Sequence, residues 1–144
     1  MDVLGGKTLV NKSGDEISAS ETLQDVEVFG FYFSAHWCPP CRAFTPVLAE
    51  FYSELKDKEE KFEIIFVSSD RSKSDMMAYM KEDHGDWLAI PFNDPLIQEL
   101  KQKFNIRGIP TFVIVKNDGT VITTDGRNGV HKDGISCYKL WSKK

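Results

Sequence analysis

Two cysteines three positions apart, Cys38 and Cys41, are the residues of this sequence whose types and spacing point most directly to chemistry. Thiols at this spacing can join as a disulfide, and a C-x-x-C pair between a strand and a helix of an intracellular protein is typical of a redox motif. The chemistry is thiol–disulfide exchange, in which a thiolate attacks a disulfide and a mixed disulfide forms. The elements on either side of the pair decide which of the two sulfur atoms can attack.

The pair lies between a predicted strand and a predicted helix. Residues 28–33 form a nearly continuous apolar run with high β propensity, which is typical of a strand buried on both faces. Within residues 44–55 the apolar positions recur at the spacing of an amphipathic helix. Unpaired amides and the positive end of the helix dipole favour an anion at the start of such a helix, so a cysteine placed there ionises more readily than a free one.

Two prolines between the cysteines set where the helix begins. Pro39 restricts Cys38 to extended backbone, and Pro40 suits a first helical position, which predicts a helix start at about Pro40. Cys38 then lies just before the helix and Cys41 within its first turn, so we expect Cys38 to attack and Cys41 to resolve the mixed disulfide. Because neither proline carries an N–H, the amides of Cys41 and Arg42 are the expected backbone donors to the Cys38 sulfur.

The rest of the chain predicts an α/β fold. From the first central strand, the predicted order is strand, helix, strand, helix, helix, strand, and residues 117–120 supply the turn of a β-hairpin. Helices interleaved with buried strands imply a sheet covered on both faces, and the hairpin makes this sheet mixed. The predicted segments are an edge strand at 3–10, strands at 62–67 and 112–115, helices at 74–83 and 96–104, a hairpin partner at 121–122 and a closing helix at 135–141.

Length and composition restrict the class of protein. With 144 residues the chain is close to the usual length of about 150 residues per domain, so residues 1–144 are expected to form one domain. Its 18 basic and 22 acidic residues give a net charge of −4, which argues against direct nucleic-acid binding through a basic stripe. The longest apolar run, residues 26–33, contains Glu27 and is too short to span a membrane. The first ten residues lack the apolar core of a secretory signal, so we expect a reducing compartment, the cytoplasm, with the nucleus as a second location.

The cysteines also admit structural interpretations. A zinc site needs four ligands, and no second closely spaced pair accompanies Cys38 and Cys41, so no metal is expected. A structural disulfide is disfavoured in a reducing compartment. Cys137 has apolar Leu140 and Trp141 at helical spacing, which favours burial over a regulatory thiol. Further zinc ligands would have to come from Cys137, His36, His84 and His131, of which His84 and His131 are otherwise interpreted as ordinary loop or helix-end residues.

The sequence around the pair resembles a known family. Residues 34–42, SAHWCPPCR, are similar to the active site of the thioredoxin superfamily, and specifically of its nucleoredoxin and tryparedoxin branch. Pro46, five residues after Cys41, matches the proline that kinks the active-site helix of this family, since it lacks the N–H for a helical hydrogen bond. Residues 108–111, GIPT, match its cis-proline loop. The resemblance covers residues 25–125 and includes the nucleoredoxin-like segments 63–70 and 87–92.

The resemblance implies a thioredoxin fold, a three-layer sandwich whose central mixed sheet has helices on both faces. In that fold Pro110 is cis and packs against the Cys38–Cys41 disulfide, and the Ile109 backbone is available to pair with an extended substrate segment. Trp37 stands beside the attacking sulfur, which favours a role in contacting partners over a place in the core. The implied substrate-binding residues are therefore Trp37, Ile109 and Pro110.

The implied function is that of a dithiol–disulfide oxidoreductase that reduces protein disulfides, with Cys38 as the nucleophile and Cys41 as the resolving thiol. Such exchange requires no organic cofactor, and its partners are disulfide-containing proteins and an upstream thiol donor or reductase. The alternative is a redox-sensitive binding module that regulates a signalling or transcription-related protein, because nucleoredoxin-like proteins are associated with such control.

One position departs from the wider family. Thioredoxins proper carry a buried carboxylate six residues before the first cysteine, where this sequence has Tyr32. A tyrosine cannot accept the proton as a base at neutral pH. Asp70, at the end of the second central strand, is the candidate acceptor in its place, with capping of the following helix as its alternative role.

Overall fold

The computed structural model describes residues 7–143. Within them the elements are β1 (Thr8–Val10), β2 (Glu16–Ser18), α1 (Ala19–Thr22), β3 (Val28–Ser34), α2 (Pro39–Asp57), β4 (Phe62–Ser68), α3 (Lys73–Asp83), β5 (Leu88–Ala89), α4 (Pro95–Lys103), β6 (Thr111–Lys116), β7 (Val121–Thr123), α5 (Gly126–Asp133) and α6 (Ser136–Ser142).

The strands form one mixed sheet in the order β2-β1-β5-β4-β3-β6-β7. Its centre is β3, which pairs in parallel with β4 and antiparallel with β6 along nearly its whole length. The pair β6 and β7 is the predicted antiparallel hairpin, and β4 and β5 run in parallel. All seven residues of β3 are buried, as the continuous apolar run predicts for a central strand.

Helices cover both faces of this sheet. Alternate residues of β3 enter different cores, since successive side chains of a strand point to opposite faces. Val28 and Tyr32 join the core beneath α2, α3, α5 and α6, whereas Phe29, Phe31 and Phe33 join the core beneath α1 and α4. The α/β three-layer sandwich is therefore confirmed.

The predicted long elements are confirmed, with shifts of one or two residues at their ends. The structure adds the short elements β2, α1 and β5 and the helix α5, and β5 corrects the predicted order because a strand separates α3 from α4. These additions have two to eight residues, too few for a clear apolar period, and α5 contains two glycines. The predicted edge strand is present as β1 over residues 8–10, and its residues 3–6 lie outside the described part of the chain.

Candidate redox site

The start of α2 positions both cysteines. Cys38 is the N-cap in extended backbone, with φ of −97° and ψ of 109°, and the helix begins at Pro39, one residue before the predicted start. The Cys41 N–H donates to Cys38 Sγ at 3.3 Å, as predicted. The expected second donor is wrong, because the Arg42 N–H donates to the Cys38 carbonyl at 3.0 Å as an ordinary helical bond.

The two thiols have different environments. Both are free, and Cys38 retains 5% exposure where Cys41 has none. Burial raises the pKa of the Cys41 thiol, and its hydrogen bond with Cys38 acts in the same direction. Cys41 is therefore a protonated thiol at neutral pH, held behind a sulfur atom that lies nearer the surface.

A loop before β6 faces the Cys38 sulfur. The Ile109–Pro110 peptide bond is cis, as the resemblance implies. Cys38 Sγ lies 3.9 Å from the Ile109 carbonyl oxygen, and the two cysteines form a small apolar cluster with Ala35 and Ile109. The structure thus brings Ile109 to the Cys38 sulfur, although these residues come from segments about seventy positions apart.

Trp37 lies at the surface beside the pair. Its side chain is 49% exposed, and its Nε1–H donates to the Ser69 carbonyl at 3.0 Å. The Arg71 guanidinium lies 5.3 Å from the ring centroid, within range of a cation–π contact. The indole is thus held in one orientation while about half of its surface stays exposed.

Asp70 holds the loop that leads into Cys38. One carboxylate oxygen accepts the His36 N–H at 2.7 Å and the other accepts the Ser68 hydroxyl at 2.8 Å. The capping role considered for Asp70 is wrong, because Ser72 is the N-cap of α3. Both of its oxygens therefore have partners on this loop and on β4.

The His36 ring points toward α3. It stacks on Tyr79 with a centroid distance of 5.3 Å, and its Nε2 lies 3.4 Å from Glu82. The contacts of this ring are thus with α3, not with the cysteine pair.

Buried hydroxyl groups lie beneath Cys41. The Thr45 hydroxyl donates to the Cys41 carbonyl at 2.7 Å and is hydrogen-bonded to Tyr32 Oη at 2.6 Å. Tyr79 Oη bonds Thr45 Oγ1 at 2.5 Å and Ser34 Oγ at 2.7 Å. Burial raises the pKa of Tyr32 and Tyr79, so both phenols stay protonated. Sequence reasoning missed Ser34, Thr45 and Tyr79.

A comparison with known protein families identifies the family of this chain. The family model for thioredoxin-like proteins matches residues 25–121, which include β3, the cysteine pair and the Ile109 loop. The chain belongs to the thioredoxin-like family. This is a family of thiol oxidoreductases, and this member carries the adjacent pair Cys38 and Cys41.

Individual relatives agree with this family. A tryparedoxin of Trypanosoma brucei brucei is 42% identical over 139 residues, which cover 95% of this thioredoxin-like chain and 92% of the tryparedoxin. A probable nucleoredoxin 3 of Oryza sativa subsp. japonica is 42% identical over 127 residues, or 88% of this chain and 26% of that protein. The chain spans only 23% to 34% of the length of the nucleoredoxins that it matches.

Solved structures give the same fold. The thioredoxin related protein 16 of Carcinoscorpius rotundicauda is 53% identical, with a TM-score of 0.84 over 98% of this chain and 99% of that chain. That protein is described together with its role in regulating transcription factor NF-kB activity.

His84 differs from its sequence interpretation. It lies at the end of α3, as expected, but it is buried rather than an ordinary loop residue. Its Nδ1 accepts the Trp87 indole N–H at 3.0 Å, and its ring packs edge-on against Phe66 and Tyr79. Burial lowers the pKa of His84 to about 3, and the charges of Lys12 and His36 act in the same direction.

Among residues 7–143, the structure brings together no group of three or more His, Cys, Asp or Glu side chains that could hold a metal ion. In the same part of the chain, no helix is both long and apolar enough to cross a membrane.

Proposed function

We propose that this thioredoxin-like protein is a dithiol–disulfide oxidoreductase that reduces protein disulfides, with Cys38 as the nucleophile and Cys41 as the resolving thiol. The observation that carries the proposal is the arrangement of the pair. Cys38 caps α2 beside the Ile109 loop, whereas Cys41 is fully buried behind it and donates its N–H to the Cys38 sulfur.

The reaction proceeds in two exchanges. The Cys38 thiolate attacks one sulfur of the substrate disulfide, so a Cys38–substrate bond forms while the substrate S–S bond breaks and the departing sulfur takes a proton. Cys41 then attacks Cys38, and the second substrate thiol leaves. Two electrons have passed to the substrate, and an upstream thiol donor or reductase returns the Cys38–Cys41 disulfide to the dithiol.

The surface beside Cys38 suits an extended protein segment. The Ile109 backbone can pair with such a segment by strand addition, in which main-chain hydrogen bonds supply the affinity. Pro110 shapes this loop, and the exposed face of Trp37 offers an aromatic contact on the other side of the sulfur. Reduction in this way requires a reducing compartment, and we place the protein in the cytoplasm, with the nucleus as the second location.

The test is a trapping experiment with insulin as the disulfide substrate. Cys41→Ser is expected to accumulate a covalent adduct linked through Cys38, because only Cys41 can release the mixed disulfide. Cys38→Ser is expected to form none. Mass spectrometry without reductant identifies the linked cysteine, and adducts through Cys41 in the Cys38→Ser protein would reverse the two roles.

A second candidate function is a redox-sensitive binding module for a signalling or transcription-related protein. It is favoured by the 53% identical Carcinoscorpius rotundicauda protein, which has a role in regulating transcription factor NF-kB activity. A binding module keeps its partner when both cysteines are replaced by serine, whereas a reductase loses all insulin turnover. Pull-down and turnover measured on the same double variant distinguish the two.

A further inference from the structure

The sequence contains only four arginines, and all four are close, along the chain or in space, to α2 or to a loop beside Cys38. They are Arg42, Arg71, Arg107 and Arg127. Arg42 lies in the first turn of α2, and the Arg127 guanidinium lies 5.9 Å from the ring centroid of Phe44 in the same helix. A chain with a net charge of −4 thus places its arginines around the redox site.

Two of them, Arg71 and Arg107, belong to the loops on either side of Cys38. The Arg71 guanidinium lies 5.3 Å from the ring centroid of Trp37, which directly precedes Cys38. Arg107 is exposed two residues before Ile109, whose carbonyl oxygen lies 3.9 Å from the Cys38 sulfur. Two residues of chain span at most about 7 Å, so both arginines are close to a segment bound at this sulfur.

None of the arginines is paired within the described part of the chain. The ion pairs within residues 7–143 involve two lysines and one histidine, and no arginine takes part in any of them. The side chains of Arg71 and Arg107 are exposed. Their guanidinium groups are therefore available to a partner.

The nearby carboxylates are already engaged. Segments 34–42 and 104–112 contain no Asp or Glu. Asp70 uses one oxygen on the His36 N–H and the other on the Ser68 hydroxyl. Glu82 lies 3.4 Å from the His36 ring nitrogen. These carboxylates have partners inside the fold, whereas the guanidinium groups beside Cys38 do not.

A carboxylate on an extended protein segment fits this arrangement. A guanidinium group presents a planar fork of N–H donors that matches a carboxylate. In an extended segment paired with the Ile109 backbone, every second side chain points to the same face. The residues two before and two after the substrate cysteine therefore face the protein together with that cysteine. An aspartate or glutamate at these positions can meet Arg71 or Arg107.

We propose that Arg71 and Arg107 select disulfide substrates whose reactive cysteine lies in an extended segment with acidic residues on either side. This inference rests on the proposed function and names the class of protein segment that the reaction takes. The arginines act on association, because complementary charges raise the rate of encounter and fix the register of the bound segment. The exchange between the sulfur atoms is the one described above.

The test uses three symmetric peptide disulfides. Each is a dimer of a heptapeptide joined through its central cysteine, with glutamate, glutamine or lysine at the positions two before and two after that cysteine. Reduced protein is mixed with an excess of each peptide, and the second-order rate constant of its oxidation is measured by acid quenching. Division by the rate constant for dithiothreitol removes the effect of the charges on the peptide disulfide itself.

The wild type is expected to react about tenfold faster with the glutamate peptide than with the glutamine peptide at low ionic strength, because opposite charges speed association. The preference should fall to about twofold in about 0.5 M NaCl, since salt screens exposed charges. Arg71→Gln and Arg107→Gln should each lower the preference about threefold, as expected for the loss of one of two exposed charges.

Charge reversal gives the sharper result. The double variant Arg71→Glu and Arg107→Glu should prefer the lysine peptide to the glutamate peptide. Lys58→Glu is the matched control, because it also reverses an exposed charge, but Lys58 is the C-cap of the 19-residue helix α2, at the opposite end from Cys38. It should keep the wild-type preference. Near-ultraviolet circular dichroism confirms folding, and the single glutamine variants carry the test if the double variant does not fold.

Four results would overturn the inference. Equal rate constants for the three peptides in the wild type would overturn it and leave the proposed function standing, since every disulfide is still reduced. The same loss of preference in Lys58→Glu would assign the effect to the total charge of the protein. A loss of rate with glutathione disulfide in both arginine variants as large as that with the glutamate peptide would indicate a small carboxylate-bearing thiol rather than a protein segment. No reduction of any peptide would overturn the proposed function itself, and the inference with it.

Discussion

At the scale of single residues, Cys38 and Cys41 have different environments because one lies just before α2 and the other lies in its first turn. Cys38 precedes the first turn of α2 and receives the Cys41 N–H on its sulfur, where the helix N-terminus favours negative charge. Cys41 points into the core beside Ala35, and burial raises its pKa. The two cysteine side chains therefore differ in solvation, and this difference is the basis of the two roles proposed for them.

Alkylation of the folded, reduced protein is expected to follow this difference. At neutral pH iodoacetamide should modify Cys38 first and leave Cys41 and Cys137 unmodified, because the thiolate is the reactive form. Burial, with a smaller contribution from Asp133, raises the pKa of Cys137 to about 12. Peptide mass spectrometry measures the order, and all three should react in denaturant. Equal labelling of Cys41 and Cys38 in the folded protein would contradict the expectation.

At the scale of elements, the core beneath α2 contains a close contact between the neighbouring strands β3 and β6. Gly30 of β3 lies under the Phe112 ring of β6, and a Cβ at Gly30 would lie 2.6 Å from Phe112 Cζ and 3.1 Å from Ile114 Cδ1. Phe112 is fully buried and packs edge-on against Tyr32 at a centroid distance of 6.2 Å. A glycine at this position therefore lets an aromatic ring cross the central strand.

Gly30→Ala is expected to destabilise the protein by about 1–3 kcal/mol, because the added methyl group overpacks the core. Urea unfolding followed by circular dichroism measures the change. Gly108→Ala is the control, since a Cβ there meets no atom within 4 Å, and its effect should stay within about 0.5 kcal/mol. A Gly30→Ala protein as stable as the wild type would show that Phe112 can move aside without cost.

At the scale of the whole molecule, one sheet supports two cores. The larger lies beneath α2, α3, α5 and α6, and the other beneath α1 and α4, with β3 contributing to both. Loss of β3 would therefore expose both faces together. We propose on this basis that residues 1–144 form a single thioredoxin-like domain.

A single domain should unfold in one cooperative step. Tryptophan fluorescence follows the buried Trp87 and Trp141, and far-ultraviolet circular dichroism follows the helices on both faces. The two signals are expected to give the same urea midpoint, since coincident transitions are the mark of two-state unfolding. Separate midpoints would divide the chain into two folding units.

The stability of the whole fold should fall in acid because of His84. The pKa of this buried side chain is lowered to about 3, whereas a histidine in the unfolded chain titrates near 6.5. Between these pH values the unfolded state binds the extra proton, so the free energy of unfolding rises with pH. The contribution of His84 reaches its full value above about pH 6.5. The contribution is at most about 1.4 kcal/mol per pH unit.

Urea unfolding at pH 4, 5, 6 and 7 measures this slope. His84→Gln removes the titration and should flatten the slope in that range. His131→Gln, which replaces an exposed histidine, should leave it unchanged. A slope in His84→Gln equal to that of the wild type would assign the acid sensitivity to other groups.

The sequence by itself determined the features that depend on neighbours along the chain. The β-prone run before the cysteines, the two prolines and the apolar period after them were enough to predict β3, α2 and the place of Cys38 at the helix start, because strand propensity and capping are local. The position of Trp37 beside the sulfur followed in the same way. The sequence did not predict β2, α1 and β5, because segments of two to four residues are too short to show an apolar periodicity.

Only the tertiary structure decided which distant residues meet at Cys41. Tyr32, Ser34 and Thr45 lie on β3 and α2, but Tyr79 comes from α3, and its hydroxyl joins Ser34 to Thr45. His84 is likewise buried by Phe66, Tyr79 and Trp87, whose packing no local pattern specifies. The physical reason is that burial and hydrogen bonding between elements depend on how helices pack on a sheet, and this packing is set by the whole chain at once.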